Sequence, residues 1–340
     1  MNSQVFMATT GESLIRSEQI GTEKWDTSTV LENIQINCLA VNPLDPSEVY
    51  AGTLDGILRS MDAGCNWVAA GMKGYPIKSL SVSPHQPGVV YAGSMPASIY
   101  KTEDNGGNWT ELKGFQKIRN RWWWFSPADP SFKAYVQAIA ISPKDPEIIL
   151  AGVELGAVVR SQDGGNTWSA HLKGALRDCH SLIFHSTNGN WAYEGGGSGG
   201  GASYSQDGGR TWSKPRTGLG RSYGWAVAAD PQKPEVWYLS ASPQPSLKGP
   251  WVPPAHIDGE ANAHIFRSVG GAEWEVLTGG LPQPLNYMAY ALITNPAKPG
   301  HVYAGLSDGD VWHSGDYGDS WDRLSFNLGG IHRDMVMLVR

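Results

Sequence analysis

A short segment that ends in tryptophan recurs seven times along this chain, and it constrains the fold more than any other feature. A period of about 40 to 50 residues is typical of β-propellers and similar arrays, because one unit cannot bury its own apolar faces and must stack on neighbours. Two copies, Ser17 to Trp25 and Ser268 to Trp274, are degenerate. The five clearest copies carry Ser or Thr, then Asp, Gly and Trp at fixed offsets: Ser60 to Trp67, Thr102 to Trp109, Ser161 to Trp168, Ser205 to Trp212 and Ser314 to Trp321.

The composition agrees with an all-β protein. The 340 residues include 42 glycines and 22 prolines, the residues that punctuate turns. Repeats that run from end to end favour one closed domain, although the length alone would allow two. The formal net charge is -6 with the two signs interspersed, which argues against nucleic acid and against a membrane surface as partners. A small polar or carbohydrate-like ligand fits this charge better.

The N-terminus and the cysteines bear on location. Residues 1–8 have neither a cationic start nor an apolar core of signal-peptide length, which predicts a cytoplasmic protein. Cys38, Cys65 and Cys179 are odd in number and lack CxxC spacing. They are therefore predicted to be reduced thiols rather than a disulfide or a zinc site.

Each repeat contains four predicted strands, A to D, and prolines such as Pro43 and Pro46 bracket the A–B turn. The A strands are predicted to begin near residues 36, 77, 136, 179, 224 and 289. A seventh set at the N-terminus lacks an A strand, which the tail from His332 would supply. The prediction is an all-β, seven-bladed β-propeller of four-stranded antiparallel blades, with the first blade closed by the C-terminal strand. A six-bladed ring with the first repeat as an appendage is the alternative. The predicted blades are 332–340 with 4–31, 35–71, 76–116, 135–174, 178–219, 223–281 and 287–329.

The motif S/T-x-D-x-G-x-x-W resembles the Asp-box, or BNR, repeat shared by sialidases, sortilin-type receptors, xyloglucanases and photosystem-assembly propellers. The layout is similar to single-domain bacterial propellers described as BNR-repeat or glycosyl-hydrolase-like. The motif is predicted to form the hairpin between strands C and D and to have a structural rather than a catalytic role. The Asp side chain can accept hydrogen bonds from nearby backbone N–H groups, Gly supplies a positive φ, and the Trp fills the space between blades. Arginines that precede the motif are also expected to be structural: Arg16, Arg59, Arg160 and Arg267.

Two insertions, 116–134 and 242–263, are predicted to lie on the face opposite the motif, because they fall in D–A and B–C connections. The second contains Trp251. In the first, Trp122, Trp123 and Trp124 could form a stacking platform for a sugar ring, with Arg121 available for a carboxylate or phosphate. A lid that tucks these tryptophans over its neighbours is the alternative.

Aligning the A strands gives a column of polar and aromatic residues near the start of each strand. Because A strands line the central channel of a propeller, these seven side chains are predicted to ring one mouth of it, beside Arg333. A water-filled channel with no ligand is the alternative. Against it stands the variety of the groups, which suits a binding pocket. The ring residues are Asn37, Lys78, Gln137, His180, Trp225, Tyr290 and Asp334.

Glu194 stands out beside this ring. Other B strands end in glycine, whereas the fifth repeat has Glu194 at that position. Its carboxylate is therefore predicted to project toward the channel next to His180.

Two functional hypotheses follow. In the first, the protein is an enzyme of hydrolase or lyase type, with Glu194 and Asp334 as acid and base and His180 as a proton shuttle. Tyr290 and Lys78 complete the catalytic set, and the other ring and loop residues bind substrate. The sequence requires no cofactor, and a metal at His180 stays open. In the second, the protein is a non-catalytic propeller that binds a ligand or another protein.

Overall fold

The computed structural model describes residues 3–127, 130–197, 199–215, 217–244 and 256–339. The predicted binding residue Trp251 lies outside them. Seven antiparallel sheets surround a central channel, which confirms the seven-bladed prediction and shows that the six-bladed alternative is wrong. In the described part of the chain, no helix is long and apolar enough to cross a bilayer.

The strands follow the predicted order. Blade 1 contains β1 (Gln4–Thr9), β2 (Leu14–Gln19), β3 (Trp25–Leu31) and β26 (Met335–Val339). Blade 2 contains β4 (Ile36–Asn42), β5 (Asp45–Thr53), β6 (Gly56–Ser60) and β7 (Val68–Ala69). Blade 3 contains β8 (Ile77–Val82), β9 (Val90–Ser94), β10 (Ile99–Thr102) and β11 (Thr110–Glu111). Blade 4 contains β12 (Val136–Ile141), β13 (Ile149–Val153) and β14 (Val158–Ser161).

The remaining blades continue the ring. Blade 5 contains β15 (Cys179–Phe184), β16 (Ala192–Gly196) and β17 (Gly201–Ser205). Blade 6 contains β18 (Tyr223–Ala229), β19 (Val236–Ser242), β20 (His264–Val269) and β21 (Glu275–Val276). Blade 7 contains β22 (Ala289–Thr294), β23 (Val302–Leu306), β24 (Asp310–Ser314) and β25 (Asp322–Asn327). Two short 3-10 turns, Phe115–Lys117 and Arg121–Trp123, lie in the first insertion.

The outermost strand is reduced in blades 4 and 5. In blade 4 the outer segment bonds β14 through Ser169 N–H to the Arg160 carbonyl and Leu172 N–H to the Val158 carbonyl, both 2.9 Å long. In blade 5 it is an isolated bridge between Tyr204 and Ser213. The fold tolerates this because the outer strands contribute little to the packing around the channel.

The C-terminal strand closes the ring. β26 pairs antiparallel with β1, with Gln4 opposite Val339 and Ala8 opposite Met335. The first blade is therefore built from both ends of the chain, as predicted. β1 therefore has a paired strand on each side, β26 and β2, and presents no open edge.

Apolar packing between blades supplies the core. The buried apolar residues of the described chain form seven clusters, and each cluster joins two adjacent blades. At the seam of blades 7 and 1, for example, Phe6 of β1 packs against Tyr303 of β23, with ring centroids 5.2 Å apart. Burial of this apolar surface is the main stabilising contribution, at roughly 25 cal/mol per Å².

The repeated turn is held by its aspartate, as predicted. In the fourth blade, one oxygen of Asp163 accepts from Thr167 N–H at 2.8 Å and from the Ser161 hydroxyl at 2.9 Å, and the other accepts from the Thr167 hydroxyl at 2.6 Å. Gly165 adopts a φ of 93°, a conformation that glycine reaches without strain. The side chain of Thr167 is the main reason that the pKa of Asp163 is lowered.

Arginines before this turn tie neighbouring blades together. The Nε atoms of Arg16 and Arg160 each donate to a backbone carbonyl of the next turn, Ala63 and Gly208, at 2.9 Å. Arg267 donates to the Tyr317 carbonyl at 2.9 Å. These three arginines are therefore structural, as expected from their position.

Replacing Asp163 by Asn should destabilise the protein without affecting any function of the opposite face. The amide keeps one acceptor but loses the charge that strengthens three hydrogen bonds, so we expect a loss of about 1–2 kcal/mol in the free energy of unfolding. Urea denaturation checks this. Asp26→Asn, an exposed aspartate on β3, is the control and should change stability by less than about 0.5 kcal/mol. Equal stability of the two variants would contradict the scaffold role.

Candidate functional site

The ring residues of blades 2 to 7 reach the channel because the inner strand of each of these blades contains a β-bulge. In blades 2 to 5 and 7, the pairing of strand A with strand B skips one residue near the start of strand A; in blade 6 it skips two. A bulged residue has no ladder partner and its side chain is re-aimed. The skipped residues include every ring residue of these blades: Asn37, Lys78, Gln137, His180, Trp225 and Tyr290. Asp334 holds the equivalent place just before β26.

Several ring side chains also bridge to the next blade. Asn37 donates to the Ile77 carbonyl at 2.9 Å, and Gln137 donates to the His180 carbonyl at 3.3 Å. Asp334 accepts from Leu39 N–H at 2.8 Å. Each of these contacts uses one polar atom of its side chain. In Gln137 the remaining atom, Oε1, is buried and has no hydrogen-bond partner among the described residues.

All seven ring residues and Arg333 line one cavity of about 280 Å³ at the channel mouth. Its wall divides into two arcs. Blades 5 to 7 contribute an aromatic arc, and blades 1 to 4 contribute a polar arc that contains the Lys78 ammonium and the Asp334 carboxylate. Arg333 stands at the rim, exposed, with a φ of 97° that is unusual for a residue other than glycine. The predicted ring is therefore present as a pocket.

The aromatic arc is densely packed. Trp225 lies 4.5 Å from the His180 ring and 5.0 Å from the Tyr290 ring, measured between centroids. His256, from the second insertion, packs edge-on against Trp225 at 5.3 Å and hydrogen-bonds through Nδ1 to the Tyr290 hydroxyl. Burial, and then the nearby His180, lower the pKa of His256. The second insertion thus adds a neutral imidazole at the channel mouth.

A polar cluster lies behind His180. The Nε2 atom of His180 is 3.6 Å from an Asp178 oxygen, and its Nδ1 is 2.9 Å from the Gly224 carbonyl. Glu154 brings a second carboxylate within 4.8 Å of both side chains. Burial lowers the pKa of His180, but the contacts with Asp178 and then the charge of Glu154 outweigh burial and raise it above its ordinary value.

The loop after β16 covers this cluster. A Cβ atom on Gly197 would lie 2.5 Å from an Asp178 oxygen and 2.8 Å from a His180 ring carbon. Only glycine therefore allows the loop to approach so closely. Gly197 thus serves a close approach of the backbone to the cluster.

The prediction that Glu194 faces the channel is wrong. Strand pairing sets Gly195 opposite Ser181, as Gly52 lies opposite Cys38, so Glu194 occupies the position of Ala51 one residue earlier. Its side chain is fully buried away from the cavity and accepts hydrogen bonds from Leu176 N–H and the Ser203 hydroxyl, both at 2.8 Å. Burial raises its pKa to about 8. Glu194 is therefore not placed to contact a substrate in the channel.

The tryptophan loop lies beside the cavity rather than over it. Arg121 donates to the Ala97 carbonyl at 2.7 Å and its guanidinium lies over Phe115 and Trp124, so its charge is engaged within the protein. Trp122 and Trp123 stack on each other with centroids 4.3 Å apart and expose 73% and 67% of their surface. None of these residues lines the channel-mouth cavity. Trp123 and Trp124 instead line a separate cavity of about 610 Å³.

The sequence did not single out Glu154, Tyr135 or Tyr223. Glu154 immediately follows β13, and the Tyr135 hydroxyl donates to it from the residue before β12. Tyr223 packs on His180 with centroids 5.0 Å apart. The signal that could have found them is their position at strand ends near the ring: Tyr135 just before β12, Glu154 just after β13 and Tyr223 at the start of β18.

No protein-family model matches this sequence, and no curated protein matches it significantly. Solved structures share its fold. A GH74 enzyme of Niastella koreensis superposes with a TM-score of 0.68 at 16% identity, over 94% of this chain and 52% of that one. An ancestral GH74 enzyme gives 0.60 at 16% identity, over 89% of this chain and 38% of that one. YCF48 bound to a D1 peptide superposes with a TM-score of 0.56 at 16% identity, over 85% of this chain and 81% of that one.

These similarities place the chain in the class of seven-bladed propellers that includes GH74 enzymes and YCF48. The chain spans about half of the length of the first GH74 enzyme and less of the second. At 16% identity the likeness shows the fold alone. Function must therefore be argued from the site.

Asp334→Asn should change how stability depends on pH. Burial raises the pKa of Asp334 from 3.8 to about 7, so between pH 4 and 7 the folded state holds a proton that the unfolded state has lost. Its contribution to stability is full below pH 4 and falls as pH rises to 7. Asparagine keeps an acceptor for Leu39 N–H without a charge. As pH rises from 4 to 8, the free energy of unfolding of the variant should therefore increase relative to that of wild type by on the order of 2 kcal/mol.

Denaturation in urea at pH 4, 6 and 8 measures this gain. Asp26→Asn, which is exposed, controls for the general effect of removing an acid. A stability difference between Asp334→Asn and wild type that stays constant with pH would show that Asp334 titrates normally.

Proposed function

We propose that the channel-mouth cavity binds a small carbohydrate-like acid and transfers a proton on it, in the manner of a lyase-type enzyme. The division of the cavity wall into an aromatic arc and a polar arc carries this proposal. Sugar rings have apolar C–H faces that pack on aromatic side chains and hydroxyl groups that need hydrogen-bond partners. Lys78 and Arg333 add positive charge suited to a carboxylate.

The cavity size supports a single sugar unit. About 280 Å³ corresponds to roughly nine water molecules at about 30 Å³ each. A ligand of this size fills the space between Trp225 and Lys78 without extending along the surface. The cavity therefore favours a monomeric ligand over a polysaccharide chain.

The lining groups favour proton transfer over glycoside hydrolysis. Glycosidases place two carboxyl groups about 5–9.5 Å apart across the scissile bond. Among the described residues that line the cavity, Asp334 is the one carboxylate. By contrast, the Tyr290 hydroxyl meets the neutral imidazole of His256, and such a pair can deliver or accept a proton.

Hexuronic acids are suitable probes for this proposal. In D₂O the wild-type protein should bind galacturonate or glucuronate and exchange the C5 proton, next to the carboxylate, for deuterium. Lys78→Met should raise the Kd at least 10-fold because it removes a cation. Tyr290→Phe should slow exchange at least 100-fold while changing the Kd less than 3-fold. Calorimetry and proton NMR measure the two quantities.

Lys117→Met, an exposed lysine in the first insertion, is the matched control and should behave as wild type. Galactose and glucose test the need for a carboxylate. Equal binding of neutral and acidic sugars would remove the assigned role of Lys78. Binding of the acids without exchange of the C5 proton would contradict the enzyme hypothesis and support a non-catalytic binding protein.

A second candidate function is glycan binding without catalysis at the tryptophan loop. The stacked and largely exposed pair Trp122 and Trp123 supports it, because a flat exposed aromatic patch on a folded protein commonly marks an interaction site. Arg119, also exposed, lines the adjacent cavity with Trp123. A neutral oligosaccharide stacked on these rings is the expected ligand.

Replacing both Trp122 and Trp123 by Ala should then lower affinity for xylo- or cello-oligosaccharides at least 10-fold, because stacking on both rings is lost. Stability should change little, since the pair is exposed. Phe132→Ala, another exposed aromatic of the same insertion, is the control, and affinity electrophoresis is the measurement. Unchanged glycan affinity in the double variant would eliminate this candidate.

A further inference from the structure

The cluster behind His180 has the composition of a metal site. Glu154, Asp178 and His180 each offer one ligand atom, and these atoms lie within 4.8 Å of one another. The three residues expose only 9%, 6% and 6% of their surface. Two carboxylates so close together and so deeply buried concentrate negative charge beside an imidazole nitrogen, a combination that attracts a cation.

The hydrogen bond of His180 fixes its tautomer. A backbone carbonyl only accepts, so the 2.9 Å contact with the Gly224 carbonyl requires the proton on Nδ1. In the neutral ring, Nε2 then directs its lone pair toward Asp178. An imidazole whose second nitrogen donates to a backbone carbonyl is the usual arrangement of a metal-binding histidine.

The separation of the ligand atoms also suits a shared ion. His180 Nε2 and the Asp178 oxygen are 3.6 Å apart, beyond the usual 2.7–3.2 Å of an N–H···O hydrogen bond. Two ligands at about 2.0–2.1 Å from a tetrahedral ion are roughly 3.4 Å apart. The observed distance therefore leaves room for an ion between the two atoms.

Surrounding groups hold the two carboxylates in place. The Tyr135 hydroxyl donates to one oxygen of Glu154, and the Ser126 hydroxyl donates to the other at 3.3 Å. Gly197 allows the covering loop to lie against Asp178. Such outer contacts orient metal ligands and raise affinity.

We propose that Glu154, Asp178 and His180 bind one divalent transition-metal ion, with Zn²⁺ as the best match to this ligand set. His180 lines the channel-mouth cavity and Glu154 and Asp178 do not, so the ion would lie behind the His180 side chain, next to the proposed ligand site. The inference deepens the proposed function, since a divalent ion would offset the negative charge of Glu154 and Asp178 beside a site proposed to bind an acid. The role of the ion rests on the proposed function, but binding of the ion can be detected independently of that function.

Metal binding can be measured without any substrate. Chelator-treated full-length protein is titrated with Zn²⁺, Mn²⁺ or Ca²⁺ by calorimetry, and bound zinc is counted by elemental analysis after dialysis. We expect one equivalent of Zn²⁺, with affinity reduced at least 100-fold in His180→Ala and at least 10-fold in Glu154→Gln. His171→Ala, a partly buried histidine outside the cluster, should bind Zn²⁺ as wild type does.

Two variants keep the test decisive if His180→Ala unfolds. Glu154→Gln preserves side-chain shape, and circular dichroism of each variant reports folding. Absence of a stoichiometric ion in folded wild type would overturn the proposal. Zinc binding that is equal in wild type and both variants, or binding of Ca²⁺ alone, would overturn it as well.

The same protein separates this inference from the proposed function. Hexuronate binding is measured on chelated and on Zn²⁺-loaded protein. Zinc binding without hexuronate binding in either form refutes the sugar-acid ligand and retains the metal site. Hexuronate binding to protein that takes up no zinc refutes the metal site and retains the ligand.

Discussion

The β-bulge near the start of the inner strand in blades 2 to 7 is the constraint on which the architecture and the site both depend. The innermost strands contact one another in succession around the channel, and a regular ladder would turn their side chains alternately toward the two neighbouring blades. The bulge frees one ring side chain in each of blades 2 to 7 from that alternation, and in blade 1 Asp334 lies just before β26. Asn37, Gln137 and Asp334 then reach the backbone of the next blade with one polar atom.

Stability and function therefore share residues at this mouth of the channel. The atom that bonds the next blade contributes to ring closure, and the remaining polar atom, such as Gln137 Oε1, is left for a ligand. A substitution in the ring changes both properties at once. Variants that keep one atom and change the other, such as Asn for Asp334, are the informative ones.

On the face that carries the repeated aspartate turns, the polar side chains stabilise the scaffold. There the repeated aspartates accept hydrogen bonds within their own turns, and arginines such as Arg16 and Arg160 bond the adjacent turn. These contacts are local and recur from blade to blade. The scaffold can therefore hold its shape while the loops of the other face vary in length and composition.

The sequence was sufficient to predict the features that recur in every blade. It gave a wrong position where the alignment of one blade with the others was ambiguous. The column of ring residues was found because the same strand start recurs in every blade. Glu194 was misplaced because three consecutive glycines, residues 195–197, offered more than one match to the glycine column, and only the ladder shows that Gly195 is the right one. Glu154 contacts residues of the next blade, and His256 belongs to an insertion. A comparison of single repeats contains neither kind of information.

Charge links the two halves of the site. The carboxylates of Glu154 and Asp178 lie beside His180, and their negative charge raises the pKa of the neighbouring Tyr223 further, after burial. The same charge would repel an anionic ligand in the cavity and oppose the attraction of Lys78 and Arg333. A divalent ion in the cluster offsets the two negative charges of the carboxylates and so removes this repulsion. Metal and acid should therefore bind with positive coupling, each raising the affinity for the other by the same factor.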